Sequence, residues 1–310
     1  MNRLKQIFKD HFQKMIDNGV RFRDTVIKNV EKFINCGQNG YATFVCEDCG
    51  IFRHITFRCK SRFCTTCGNR YNMERTDAMA SKIIDVSHRH CIFTLPDTLR
   101  IYFRRDYALL QLFFDAVSQC LYRQFRGNTP AFICVLHTFG RDLKWNPHVH
   151  VILAEGSADA FGNWHAKGYF HFESLRKSFQ AIMLKSMLKA LGPSFKATAD
   201  NCYKSAENGF FVYAPKSKGK IRNLINYLGR YLGRPVIAKS RIDDYDGTNV
   251  TFHYKRHEDN LLVRETVRAE DFIKRIVVHI PPHYFNMVRF YGLYAKSKYG
   301  LQRVRKIFDL

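Results

Sequence analysis

Apolar residues recur every three to four positions over residues 3–17 (Leu4, Ile7, Phe8, Phe12, Met15, Ile16) and 22–35 (Val26, Ile27, Val30, Phe33, Ile34), the spacing of amphipathic helices. A third helix is expected over 70–86. HCIFTLP, residues 90–96, is a short apolar run closed by Pro96 and predicts a buried strand. A long helical pattern follows over 98–126, with Leu109, Leu112, Phe113, Ala116, Val117 and Leu121 as its stripe. AFICVLHTF (131–139) and HVHVILA (148–154) predict two strands with a short connection, and the glycine-punctuated segment 155–171 a loop or small hairpin. Beyond it come a helix over 174–191, a strand over 209–215, a helix over 219–232, strand-like pieces at 235–241, 249–255 and 261–267, and a helix over 269–280 before a basic tail. No internal repeat is visible. This order predicts an α+β fold built on a predominantly antiparallel sheet.

Composition narrows the partners. The 310 residues are 46% hydrophobic and 15% aromatic, enough for a real core. Fifty Lys and Arg against 27 Asp and Glu give a net charge of +23, whose expected use is to hold a polyanion, with nucleic acid first. No 18-residue apolar run exists, so no membrane partner is expected. The opening MNRLKQIFKD is too charged for a signal peptide, and a cytoplasmic, thiol-reducing setting is expected.

In that setting clustered cysteines suggest metal. Six of the ten fall between Cys36 and Cys67. Cys46 and Cys49 form one C-x2-C, Cys64 and Cys67 a second, with 14 residues between them and a glycine (Gly50, Gly68) after each. Two such knuckles complete a closed tetrahedral site, so structural Zn²⁺ is expected on these four thiolates. Cys36, Cys59 and His54 are the alternative ligands. Lys60 and Arg62, beside the knuckles, are candidate phosphate contacts.

The second chemical signal is His148-Val149-His150. On a strand, residues two apart share a face, so both imidazoles point one way and Val149 into the core. They can converge on one divalent ion. If 131–139 and 147–154 form a hairpin, His137 joins them as third ligand; Glu155 or Asn223 are the other possibilities. His88-Arg89-His90 repeats the spacing, but its central arginine argues against a core-facing middle residue. The third signal is Tyr227 and Tyr231, one turn apart on a helix. Lys218, Lys220, Arg222, Arg230 and Arg234 flank them, a setting suited to phosphate. Phe210, Phe211, Tyr213 and Trp145, among cations, are candidates for stacking on bases.

The order C-x2-C…C-x2-C, H-hydrophobic-H, Y-x3-Y resembles the two-tyrosine HUH transposases of rolling-circle insertion sequences (IS-ninety-one type). The matching pieces are CGQNGYATFVCEDCG, SRFCTTCG, LHTFGRDLKWNPHVHVILAEG, YLGRYLGRP and VRFYGLYA. Phe63 departs from the family, which often has a histidine there. The resemblance implies a helical zinc-binding domain over 1–88 and an HUH nuclease domain of the rolling-circle initiator fold over 89–310. It implies His148 and His150 as ligands of Mg²⁺ or Mn²⁺, and Tyr227 and Tyr231 as nucleophiles that nick and rejoin single-stranded or hairpin DNA through a 5′-phosphotyrosine. Arg222, Arg230 and Arg234 would contact DNA. No G-x4-G-K-[ST] motif is present, so strand separation is assigned to a host helicase, and the protein to the nucleoid of a prokaryotic cell. A replication initiator or relaxase would share this chemistry. A non-catalytic zinc-dependent nucleic-acid-binding protein is the reading from another class.

Overall fold

Val149, Val151 and Leu153 are fully buried in an apolar core, while His148 and His150, alternating with them, lie on the opposite face of the same strand. That two-sided strand, β5 (Trp145–Ala158), is the centre of the larger of two units in the computed structural model. The structure describes residues 2–38, 40–59, 61, 64–215, 235–256 and 258–295.

Among these, the larger unit takes in 76–138, 145–215 and 284–295. Its sheet runs in the order β11 (Val288–Gly292), β4 (Thr129–Phe139), β5, β3 (His88–Thr94), β7 (Val212–Tyr213), with β6 (Trp164–Ala166) pairing the end of β5. β3 is antiparallel to β5, with Thr94 opposite His148 and Ile92 opposite His150. β4 and β5 are neighbours, joined through a turn in which the Gly140 N–H donates to the Lys144 carbonyl. One face of the sheet carries Cys91 and Phe93 from β3, Phe132, Cys134 and Leu136 from β4, and the β5 valines. Against it pack α5 (Leu109–Arg123) and α6 (Phe172–Leu191), through Phe113, Val117, Phe179 and Met183. At about 25 cal/mol per Å² of apolar area removed from water, this layer is the unit's main source of stability.

Local chemistry explains where pattern and structure diverge. The helix expected over 98–126 is two, α4 (Asp97–Arg105) and α5. Asp106 is extended (φ −128°, ψ 105°) and its carboxylate accepts the Ala108 N–H, an Asx turn that competes with the helix. A further helix, α7 (Lys196–Ser205), follows α6 after a turn at Gly192, where φ is +76°. β11 supplies an edge strand the pattern did not predict; at Gly292 (φ +58°) a Cβ would lie 1.7 Å from the Pro130 carbonyl oxygen, so only glycine fits.

The second unit takes in 2–75, 139–144 and 235–283, and the division falls within α3 (Thr65–Ala80). α1 (Arg3–Asp17) and α2 (Asp24–Ile34) form where periodicity placed them. Their apolar stripes, Leu4, Ile7, Phe8, Phe12, Val26, Val30 and Phe33, share one core with Phe252, Phe272, Ile273 and Ile276. Those partners sit on a three-stranded sheet, β8 (Ile242–Tyr245), β9 (Asn249–Lys255) and β10 (Leu262–Arg268), and on α8 (Ala269–Val277). Arg3 donates to the Ile242 carbonyl and Arg23 to that of Ile280. The N-terminal helices therefore bury themselves on a segment more than 200 positions away, so this compact unit is discontinuous in sequence. The strand expected over 235–241 begins instead at Ile242. Pro235 has no N–H to give, and Lys239–Arg241 turns as a 3₁₀ helix. Between α2 and α3 stands a hairpin, β1 (Tyr41–Val45) and β2 (Phe52–Thr56), exposed along most of its length.

Candidate functional site

Four cysteines converge in the smaller unit, and they are not the four the spacing suggested. Cys36, Cys59, Cys64 and Cys67 have sulfurs within 4.8 Å of one another. The Cys36 Sγ is 3.6 Å from those of Cys64 and Cys67. A zinc ion with Zn–S bonds of roughly 2.3 Å in a tetrahedron needs sulfurs about 3.8 Å apart, so the donor set fits that metal. Cys36 follows the end of α2, Cys59 follows β2, and Cys64 and Cys67 open α3 as a knuckle in which the Cys67 N–H donates to the Cys64 Sγ. The other C-x2-C lies elsewhere. Val45 pairs with Phe52, so Cys46 and Cys49 form the exposed tip of the β1–β2 hairpin, a strand length of roughly 16 Å from its base, whereas Cys36 and Cys59 flank the base. Both C-x2-C pairs make knuckles; hairpin folding separates them. His54 is likewise exposed on β2, its Nδ1 bonded to the Thr43 hydroxyl across the strands.

Thiols packed this tightly cannot all share one protonation state. The hydrogen bond from Cys59 draws the Cys64 thiol down to about 4, while burial pushes Cys36 up to about 11 and the hydrogen bond to Cys64, with burial behind it, raises Cys59 higher still. Cys64 also sits at the start of α3, where a helix N-terminus favours a thiolate. A bound dication would resolve the conflict by holding all four ionised.

The second centre lies on the face of the larger unit's sheet opposite its helices, where His137 and His150 are buried. His137 from β4 and His148 and His150 from β5 bring one ring nitrogen each within 4.8 Å of the others. Ring centroids are 5.4 Å apart for His137 and His148, 4.4 Å for His137 and His150, and 4.9 Å for His148 and His150. The Nδ1–H of His148 donates to the Asn146 carbonyl at 2.7 Å, which leaves Nε2 as the nitrogen with a lone pair to offer. Burial, the largest cause in each case, lowers the His148 pKa to about 4 and that of His150 further, the neighbouring imidazoles adding to it. Both rings are neutral at pH 7, the form that binds metal. Three imidazoles are borderline donors, better matched to a first-row transition ion than to hard Mg²⁺.

Of the alternatives for a third ligand, Glu155 is committed elsewhere. Its carboxylate meets the Arg89 guanidinium at 2.7 Å, both side chains buried. Arg89 also donates to the carbonyls of Ala214 and Gly168 and lies over the Phe170 ring. The core-facing middle residue that sequence reading argued against at His88-Arg89-His90 is thus an arginine, tolerated inside because an acid and two carbonyls satisfy it. Its consequence is a residue that reading missed: with Arg89 turned inward, His90 points to the imidazole side and its Nε2 lies 2.9 Å from the His150 Nδ1. The period-two signal for this was present in the H-x-H spacing itself.

Among the stacking candidates, Phe210 is buried in the core and Trp145 packs against it with its indole N–H on the Arg100 carbonyl. Phe210 therefore has no face to offer a base, and Trp145 is half-buried. Phe211 and Tyr213 are exposed at the β7 edge. Asn223, Tyr227, Tyr231, Arg222, Arg230, Arg234, Lys60 and Arg62 lie outside the described residues.

An antiparallel sheet bearing an imidazole cluster, in a strongly basic chain with a four-thiol centre, defines an α+β protein with two side-chain clusters that could each hold a metal ion. A family described as "Transposase zinc-binding domain" matches residues 7–95, and one described as "Putative transposase" matches residues 131–300, over half the chain. The chain belongs to the IS-ninety-one-type transposases. It is 29% identical over 306 residues to the transposase for insertion sequence element IS801 of Pseudomonas savastanoi pv. phaseolicola, covering 93% of this chain and 74% of that one. It is 28% identical over 291 residues to "Putative transposase y4qJ" of Sinorhizobium fredii, covering 86% and 72%. No solved structure matches. Among the described residues no helix is long and apolar enough to cross a membrane.

Proposed function

We propose that the protein nicks and rejoins single-stranded DNA at element ends through a 5′-phosphotyrosine, and so drives rolling-circle transposition. The observation that supports this reading most is the convergence of His137, His148 and His150 on one sheet face. Three protein donors leave coordination positions for a phosphate oxygen. A divalent ion held there, Mg²⁺ or Mn²⁺, would polarise the scissile phosphate and offset charge developing on it. Tyr227 or Tyr231 supplies the oxygen that attacks phosphorus; the P–O3′ bond breaks, the 3′ oxygen takes a proton, and the 5′ phosphate stays on the tyrosine. A phenol with a pKa near 10 is a weak nucleophile at neutral pH, so the cations flanking the tyrosines (Arg222, Arg230, Arg234) have a second use beyond holding DNA. The covalent bond conserves the phosphodiester's energy, and rejoining needs no nucleotide. Two tyrosines allow a second cleavage before the first is resolved.

Zinc on Cys36, Cys59, Cys64 and Cys67 would act in folding, since four thiolates close its coordination. Lys60 and Arg62, between these ligands in sequence, would place the zinc domain against DNA backbone. The work would take place on cytoplasmic DNA, with strand separation left to a host helicase.

The test is direct. Incubated with labelled single-stranded DNA carrying the element's ends and Mn²⁺, the protein should give a covalent adduct on a denaturing gel. Tyr227→Phe combined with Tyr231→Phe should abolish the adduct, and His148→Ala should abolish it while DNA affinity is largely kept. Absence of any adduct with element-end DNA overturns the nuclease reading and leaves a DNA-binding protein, whereas an adduct that survives the double tyrosine change overturns the assignment of Tyr227 and Tyr231 as the nucleophiles.

A further inference from the structure

The imidazole side of the sheet holds a fourth histidine that the three-ligand site does not account for. The His90 and His150 rings lie with their planes 5° apart and centroids 5.1 Å apart, meeting edge to edge through a 2.9 Å contact between the His90 Nε2 and the His150 Nδ1. The register makes this a built relationship. Ile152 of β5 pairs with His90 and His150 with Ile92, so His90 and His150 are diagonal neighbours on one face of two hydrogen-bonded strands. Arg89, locked into the core by Glu155, fixes the orientation of β3 at that point.

We propose that His90 is a positioning residue for the metal site: it accepts the Nδ1–H of His150, and thereby holds His150 in the tautomer whose Nε2 carries a lone pair. This inference rests on the reading of His137, His148 and His150 as a cation site. The chemical argument is one of proton count. Between two neutral imidazoles a single hydrogen lies on the Nδ1···Nε2 line. If His90 donates it, the His150 proton sits on Nε2 and the ring cannot ligate through that nitrogen. If His150 donates it, Nε2 is a lone-pair donor and the ring is anchored in orientation. His148 is held in the same tautomer by the Asn146 carbonyl, so the two β5 ligands reach one outcome by different supports. Partners of this kind orient a ligand and raise its basicity, and their loss commonly weakens metal binding by roughly 10–100-fold.

Two measurements test it. Mn²⁺ binding, followed by electron paramagnetic resonance of the free ion, should show a dissociation constant raised about 10–100-fold in His90→Ala. His90→Gln, whose amide oxygen can accept the same N–H, should recover much of the loss. In ¹⁵N-labelled metal-free protein, long-range ¹H–¹⁵N spectra should show His150 protonated at Nδ1 in the wild type and mixed in His90→Ala. Binding within twofold of wild type in His90→Ala, or a wild-type His150 protonated at Nε2, overturns the proposal. His148→Ala serves as the discriminating control: if it too leaves Mn²⁺ binding unchanged, the cation site itself is wrong; if it alone abolishes binding, only the role of His90 falls. The tautomer measurement needs no variant and decides the matter even if His90→Ala does not fold.

Discussion

Arg89 and Glu155, 66 positions apart, meet as a buried ion pair on the core side of the sheet whose other side carries the imidazoles. The side chains are 3% and 8% exposed. A pair this dry stabilises little by itself, because removing both ions from water costs nearly what their attraction returns. Breaking it leaves one ion stranded. Arg89→Met or Glu155→Gln alone should therefore cost about 3–5 kcal/mol in denaturant unfolding, and the double variant markedly less than the sum. Additive losses would show that the two side chains act independently.

The four-thiol centre predicts which cysteines matter. Cys36→Ser and Cys59→Ser should lower zinc content well below one ion per chain and unfold the smaller unit, as removal of a structural metal generally does. Cys46→Ser and Cys49→Ser, at the hairpin tip, should retain the metal. Elemental analysis of the purified variants distinguishes the two sets, and the reverse pattern would restore the pairing suggested by spacing.

Buried neutral histidines make stability fall in mild acid. Burial lowers the pKa of His88, His90 and His148 to about 4 from an ordinary value near 6.5. Between these values the unfolded chain binds protons that the folded chain refuses, so unfolding free energy rises with pH there. The stability is fully present above about pH 6.5 and is lost progressively as pH falls toward 4. Each histidine contributes a slope of up to about 1.4 kcal/mol per pH unit. Urea midpoints measured without added divalent ion should drop steadily from pH 7 to 5; a flat profile would mean these rings are protonated or solvated in the fold.

How far the sequence is legible depends on the range of the forces involved. α1, α2 and α6 are written in local periodicity, and β3, β4 and β5 in apolar runs, because each element's pattern reports the face it buries. The imidazole cluster is legible for the same reason: His148 and His150 share a face by strand geometry, and His137 needs only a tight turn. What needs distant partners is not. The core that α1 and α2 enter is supplied by Phe252, Phe272 and Ile276, which no local pattern announces. Of the zinc ligands, the spacing marks Cys64 and Cys67 and leaves Cys36 and Cys59 as alternatives to Cys46 and Cys49, because C-x2-C spacing gives a knuckle's shape and not its place; the short β1–β2 hairpin that moves Cys46 and Cys49 away is weakly amphipathic and exposed on both faces. The burial of Arg89 is not legible either, because burial of a charge depends here on Glu155, a residue from another strand.

Over residues 210–213 the aromatic side chains divide between the core and the surface. Phe211 is 54% exposed and Tyr213 48%, whereas Phe210 between β7 and the helices is 2% exposed and touches Phe179. The Arg176 guanidinium lies 5.7 Å from the Phe211 ring, so a base stacking there would meet a cation as well. Stacking on one aromatic ring is worth roughly 1–3 kcal/mol per base. Phe211→Ala and Tyr213→Ala should each weaken single-stranded DNA binding by about 5–150-fold, with little sequence preference and no change in unfolding midpoint. Phe210→Ala should do the opposite, leaving an internal cavity that costs about 3–5 kcal/mol of stability while the folded fraction binds normally. Fluorescence anisotropy against poly-pyrimidine oligonucleotides, paired with urea unfolding, reads both quantities. Binding unaffected by either exposed aromatic would remove the edge strand from the DNA path.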